Sequence, residues 1–183
     1  ASTGFDLSTV SYDSVVYNGR ERNGIIGRVE DVSIGREGSS LFVLERDSSF
    51  QNGQRVSEMP LGTDYDISTR QQVSASKEFV TNNVNPEYIE FTNGGKRMYV
   101  LNDNDRDIEE FELSTPWDVT TISRVGRSRP SSDRDTSDLH FGDQGKRVYI
   151  TRRGDDRVDE YYLNEPYQLS NFGSDFVNTI NTD

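Results

Sequence analysis

The chain has no cysteine and one histidine, His140, among 183 residues. Without thiols it can build neither a disulfide framework nor a cysteine-based zinc site, and its redox compartment is left open. With a single imidazole, an ordinary His-rich metal site is excluded and a nucleophilic triad has only His140 to draw on. Lysine is scarce, at 77, 96 and 146, so the basic residues are nearly all arginine. No apolar run approaches membrane-spanning length, and the opening Ala1-Ser2-Thr3-Gly4 lacks the basic and apolar regions of a signal peptide. No glycine-rich phosphate loop is present. With 32 acidic against 20 basic residues the net charge is −12, which repels phosphate backbones and anionic bilayers. Neither nucleic acid nor membrane is therefore expected as a partner.

Hydrophobic residues amount to only 31% and mean hydropathy is −0.81, close to the range where burial fails to offset chain entropy. Against disorder stand 9 Tyr, 9 Phe and 1 Trp, placed regularly among Val, Ile and Leu. A folded protein with a thin core is predicted.

The regularity is an internal repeat centred on Gly38, Gly95 and Gly145. Before each glycine two apolar residues flank a polar one: Val32 and Ile34, Ile89 and Phe91, Leu139 and Phe141. This period of two marks a half-buried first strand. After each glycine run Leu41–Leu44, Met98–Leu101 and Val148–Thr151, rich in aromatic and β-branched residues as a buried second strand requires. The turns Arg36-Glu37-Gly38, Asn93-Gly94-Gly95 and Asp143-Gln144-Gly145 suit a tight hairpin between the two. Val56, Met59 and Leu61, then Ile108, Phe111 and Leu113, then Val158, Tyr161 and Leu163 share one spacing and predict a third strand. A fourth is predicted near Glu78–Thr81, Thr121–Val125 and Asp175–Ile180. Phe5–Thr9 repeats the Phe111–Thr115 ending of a third strand, so the chain opens midway through a unit.

The predicted fold is all-β: three four-stranded antiparallel propeller-like blades plus an N-terminal half-blade, an incomplete or oligomer-completed propeller. Residues 1–183 form a single repeat domain, with the half-unit at 1–28 and units at 29–81, 86–125 and 136–183. Asn93–Leu101 together with Leu113-Ser114-Thr115-Pro116-Trp117-Asp118 resembles YVTN-like β-propeller repeats, and similar Leu-Ser-Thr-Pro-Trp-Asp repeats occur in virion structural proteins of marine tailed phages. The resemblance covers about residues 29–170 and is degraded in the first unit. It implies a non-enzymatic virion or decoration protein that binds a capsid or tail surface, with virion proteins or further copies of itself as partners and no cofactor. Two alternatives are a glycan-binding module of a host-recognition fibre and a propeller enzyme such as a lyase or glycosidase. A convergent cluster of polar side chains around a closed ring would favour the enzyme, and a buried flat contact with many copies of a partner would favour assembly.

Individual residues carry further expectations. Tyr65, Trp117 and Tyr167 follow the third strands at equivalent positions and are read as inter-blade packing residues, Pro116 and Pro166 fixing the turns before two of them. His140, between Leu139 and Phe141, is read as a structural or surface residue. Asp103-Asn104-Asp105-Arg106-Asp107 resembles the start of a calcium loop but lacks the following glycine, and Ser114 stands where the bidentate Glu would be; no metal site is assigned. Arg153-Gly154-Asp155 reads as an exposed turn. Arg124, Arg127, Arg129 and Arg134, in the most basic stretch, are candidate partner-binding residues set against an ordinary solvated loop. Phe50 is a fifth, because an exposed aromatic is costly without a partner. No catalytic residue is assigned.

Overall fold

The computed structural model describes residues 24–25, 27–50, 53–79, 85–102, 107–129, 136–169 and 176–181. Most of the half-unit read at residues 1–28, the calcium-like residues 103–106 and Arg134 lie outside these. The first sheet comprises β1 (Arg28–Gly35), β2 (Ser40–Arg46), β3 (Gln54–Pro60) and β4 (Ala75–Glu78). The second comprises β5 (Pro86–Thr92), β6 (Arg97–Asn102), β7 (Asp107–Leu113) and β8 (Ile122–Ser128). The third comprises β9 (Thr136–Gly142), β10 (Arg147–Arg152), β11 (Arg157–Tyr162) and β12 (Phe176–Asn181). Each is an antiparallel meander whose strands pair in chain order, and no α-helix occurs among the described residues. The fourth strands begin within a few residues of their expected places, and β8 runs on to Ser128, so Arg124 and Arg127 belong to a strand instead of a loop.

β1 packs against β5 and β5 against β9, so the sheets fan out from their first strands as propeller blades do. Strand alternation divides the side chains between two interfaces. Phe42, Leu44, Val56 and Phe79 of the first blade close on Ile89, Met98, Val100 and Phe111 of the second. Tyr99, Leu101 and Ile108, from the opposite face of the second blade, close on Leu139, Phe141, Val148 and Ile150 of the third. The thin core read from composition is thus two slabs, each shared by neighbouring sheets. In the first blade, however, Val32 and Ile34 are 49% and 43% exposed, against 2% for Ile89 and 1% for Leu139. The expected half-burial of β1 fails because no described blade precedes it.

Candidate functional site

The first strands carry the candidate site. Ile89 and Phe91 pack in the slab shared with the first blade, which leaves Tyr88 and Glu90 on the other face of β5. Leu139 and Phe141 likewise pack towards the second blade, so Asp138 and His140 of β9 remain exposed. Where β5 and β9 meet, these four side chains converge. The Glu90 carboxylate lies 3.3 Å from His140 Nδ1, and the Tyr88 hydroxyl donates to its other oxygen at 3.4 Å. Tyr88 also bonds to Asp138, and the Phe141 backbone N–H donates to Glu90. One blade earlier Asp31 repeats the device, its Oδ2 accepting the Ile89 N–H at 2.9 Å. Carboxylates of one first strand thus cap main-chain donors of the next, tying adjacent blades at the centre of the fan.

Burial dominates the electrostatics. It pushes the Glu90 carboxyl up to about 7, with the nearby Asp138 charge adding to the rise and the bonds from Phe141 and Tyr88 opposing it. Burial also raises Asp31, again with help from Asp138. The Tyr88 phenol is raised by burial and then by Glu90, Asp138 and Asp31, so it stays protonated at any ordinary pH. A carboxyl that titrates near neutrality beside a fixed phenol donor and an exposed imidazole is equipped for proton transfer. Among the described residues no group of His, Asp and Glu is arranged to hold a metal ion.

The aromatic residues after the third strands lie against the turns that follow the first strands. Trp117 stacks on Phe42 of the preceding blade at 5.8 Å and on Phe91 at 5.7 Å, while Arg36 donates to its carbonyl at 3.2 Å. Tyr167 lies 5.7 Å from Phe141, and its carbonyl accepts the Tyr99 hydroxyl of the preceding blade at 2.5 Å. Tyr65 takes the equivalent place in the first blade and is 67% exposed.

The arginine candidates sit elsewhere. Arg124 pairs with Glu109, and Arg127 and Arg129 both pair with Asp107. They neutralise buried β7 carboxylates within their own sheet while their side chains remain part-exposed. Phe50 is not exposed: at 5% accessibility its ring lies under the Arg55 guanidinium, 4.8 Å from the centroid. The exposure behind its reading as a partner-binding residue is therefore absent. Arg153-Gly154-Asp155 forms an exposed turn. Sequence reasoning missed Glu90, Tyr88, Asp138 and Asp31. The available signal was acidic or phenolic residues interleaved with apolar ones on consecutive first strands.

Residues 36–174 match the family model described as "Lactonase, 7-bladed beta-propeller". Among solved structures the chain is similar to the periplasmic gluconolactonase of Pseudomonas aeruginosa, with 13% identity and a TM-score of 0.55 over 82% of this chain and 39% of that one. It is similar to a candidate 6-phosphogluconolactonase from Bacteroides fragilis, with 14% identity and a TM-score of 0.56 over 90% and 44%. Hydrazine synthase of Kuenenia stuttgartiensis aligns at 18% identity and a TM-score of 0.52, over 91% and 39%. At these identities the likeness is one of fold, and the chain spans about two fifths of each relative. No curated protein matches it. The family overturns the reading as a non-enzymatic virion protein, because that reading rested on packing and turn residues which any propeller of this kind shares, and nothing points to a phage. Over most of its length the chain is a member of the seven-bladed lactonase propeller family.

Proposed function

We propose that this chain supplies the acid–base centre of a lactone hydrolase. Lactone hydrolysis adds water across one C–O bond: water attacks the carbonyl carbon, a base takes a water proton, and the departing ring oxygen receives one, giving a hydroxy acid. Glu90, ionised above about pH 7, takes the proton from water. The Tyr88 phenol, held 3.4 Å from the Glu90 carboxylate, can turn its hydrogen towards the developing oxyanion. His140, exposed and with Nδ1 3.3 Å from Glu90, accepts that proton from the Glu90 carboxyl and delivers it to the departing ring oxygen. The observation that carries the reading is this half-buried carboxyl between an imidazole and a phenol on the converging first strands. Family membership and the gluconolactonase named among the similar structures support lactones over the lyase or glycosidase substrates of the enzyme alternative.

The test is hydrolysis of glucono-1,5-lactone by the full chain, followed by base uptake. Log kcat/KM should climb with unit slope towards a plateau near pH 7, and Glu90→Gln should lower the plateau by at least about a hundredfold, the usual worth of a positioned base. Glu90→Gln with undiminished activity, or a wild-type chain that leaves the lactone intact, would overturn the proposal.

A further inference from the structure

We infer that the site is built for an uncharged lactone and discriminates against a phosphorylated one. The inference rests on the lactone-hydrolase reading and goes on to the charge of the substrate. The relatives named above include both a gluconolactonase and a candidate 6-phosphogluconolactonase, so fold alone does not choose between the two classes. The side chains of the inner strands do.

Three carboxylates, Asp31, Glu90 and Asp138, lie close enough to the Tyr88 phenol for each charge to act on it. Phosphate recognition requires the reverse: arginine forks, lysines or converging backbone N–H groups. The two N–H groups at this place, from Ile89 and Phe141, are already taken by Asp31 and Glu90. The guanidiniums around the first strands are also committed. Arg28 and Arg46 turn to Glu30, at 3.4 and 2.8 Å. Among the described residues, no Lys or Arg forms an ion pair with Asp31, Glu90 or Asp138, and His140 is the one basic partner of the cluster.

A phosphate dianion entering here meets net negative charge in a partly desolvated place, where repulsion is weakly screened. A neutral lactone does not. The same field acts on the reaction's outcome, because hydrolysis turns a neutral ester into a carboxylate that the site then repels. Acidic lining thus selects the substrate and speeds release of the product.

The experiment compares glucono-1,5-lactone with its 6-phosphate on the full chain, at about 10 mM and about 500 mM salt, spanning weak to strong screening. At low salt kcat/KM for the neutral lactone should exceed that for the phosphate ester by about tenfold or more. The gap should narrow several-fold at high salt. Asp31→Asn, which keeps an oxygen to accept the Ile89 N–H, should narrow it at low salt, read as the ratio of the two substrates so that a general loss of activity cancels. Equal or faster hydrolysis of the phosphate ester, or a gap that responds neither to salt nor to Asp31→Asn, would overturn the inference and leave the lactone-hydrolase reading standing. Hydrolysis of neither compound would overturn both.

Discussion

Glu90 couples the site to the stability of the fold. Its carboxyl titrates near 7 in the folded chain, from an ordinary value of 4.5, because burial disfavours the charge. Between these values the native state binds more protons than the unfolded one, so this group's contribution falls as pH rises from about 4.5 and levels off above about 7. A shift of this size corresponds to about 3 kcal/mol at most. Asp31 and Glu110 are raised as well, also chiefly by burial, so the whole stability profile mixes several groups. A difference measurement isolates the one of interest. Glu90→Gln should match wild type at pH 4.5 in urea unfolding and exceed it by about 2–3 kcal/mol at pH 8. Equal midpoints at both pH values would mean that the carboxyl is solvated and ordinary. A residue that costs stability at the pH where the proposed mechanism uses it as a base fits a functional position better than a structural one.

Among the elements, the first hairpin of each blade and the aromatic that follows its third strand act as one device. Arg36 and Glu37, Asn93 and Gly94, and Asp143 and Gln144 all have positive φ, and the third turn residue, Gly38, Gly95 or Gly145, has φ of +98°, +82° or +84°. The aromatic ring lies directly on that glycine: a β-carbon at Gly95 would sit 2.2 Å from the Trp117 ring. The Trp117 N–H bonds the Gly95 carbonyl at 2.9 Å, and Tyr65 and Tyr167 repeat the bond to Gly38 and Gly145. Trp117→Ala should cost about 3 kcal/mol, the low end for a packed Trp because the ring is only partly buried. Gly95→Ala should cost a similar amount alone, but only its backbone share of about 1–2 kcal/mol once Trp117 is already alanine. Additive costs in this double-mutant cycle would show that ring and glycine do not share one strain. These elements were legible in the sequence because turn glycine, aromatic and strand alternation recur locally at each unit. The catalytic candidates were not. Glu90 and His140 are fifty positions apart and meet only because β5 and β9 converge, and a lone imidazole between two apolar residues carries no sign of the carboxylate across the blade boundary. Phe50 misled for a related reason, since its cover, Arg55, arrives from the next strand.

For the whole molecule, the decisive feature is the front face of the first blade. The three blades among the described residues, against the family's seven, make about 43%, in line with the 39–44% of the similar structures that the chain spans. Positions that a preceding blade seals in the second and third sheets stand open in the first: Val32, Ile34 and Tyr65 are exposed where Ile89 is buried and Trp117 packs against Phe42. Leu41, Val43 and Met59, with Ile25 and Val73, form a small cluster on this face. The face repeats the apolar pattern that receives Phe42 and Leu44, or Tyr99 and Leu101, at the two internal interfaces. A further blade of the same repeat would be complementary to it if it presented an aromatic and an aliphatic residue from its second strand, as Phe42 and Leu44 do to the second blade. The contrast between faces is measurable in the chain as it stands. Ile89→Ala, inside a sealed interface, should cost about 2–5 kcal/mol. Val32→Thr and Ile34→Thr, at equivalent strand positions on the open face, should each cost less than about 1 kcal/mol. If blades from another copy cover the face in solution, light scattering will show a mass above that of the monomer, and the two threonine variants will lower that mass before they lower the unfolding midpoint. A monomer in which Ile34→Thr is as damaging as Ile89→Ala would show that the face is already sealed from within the chain, and the place for a further blade would be gone.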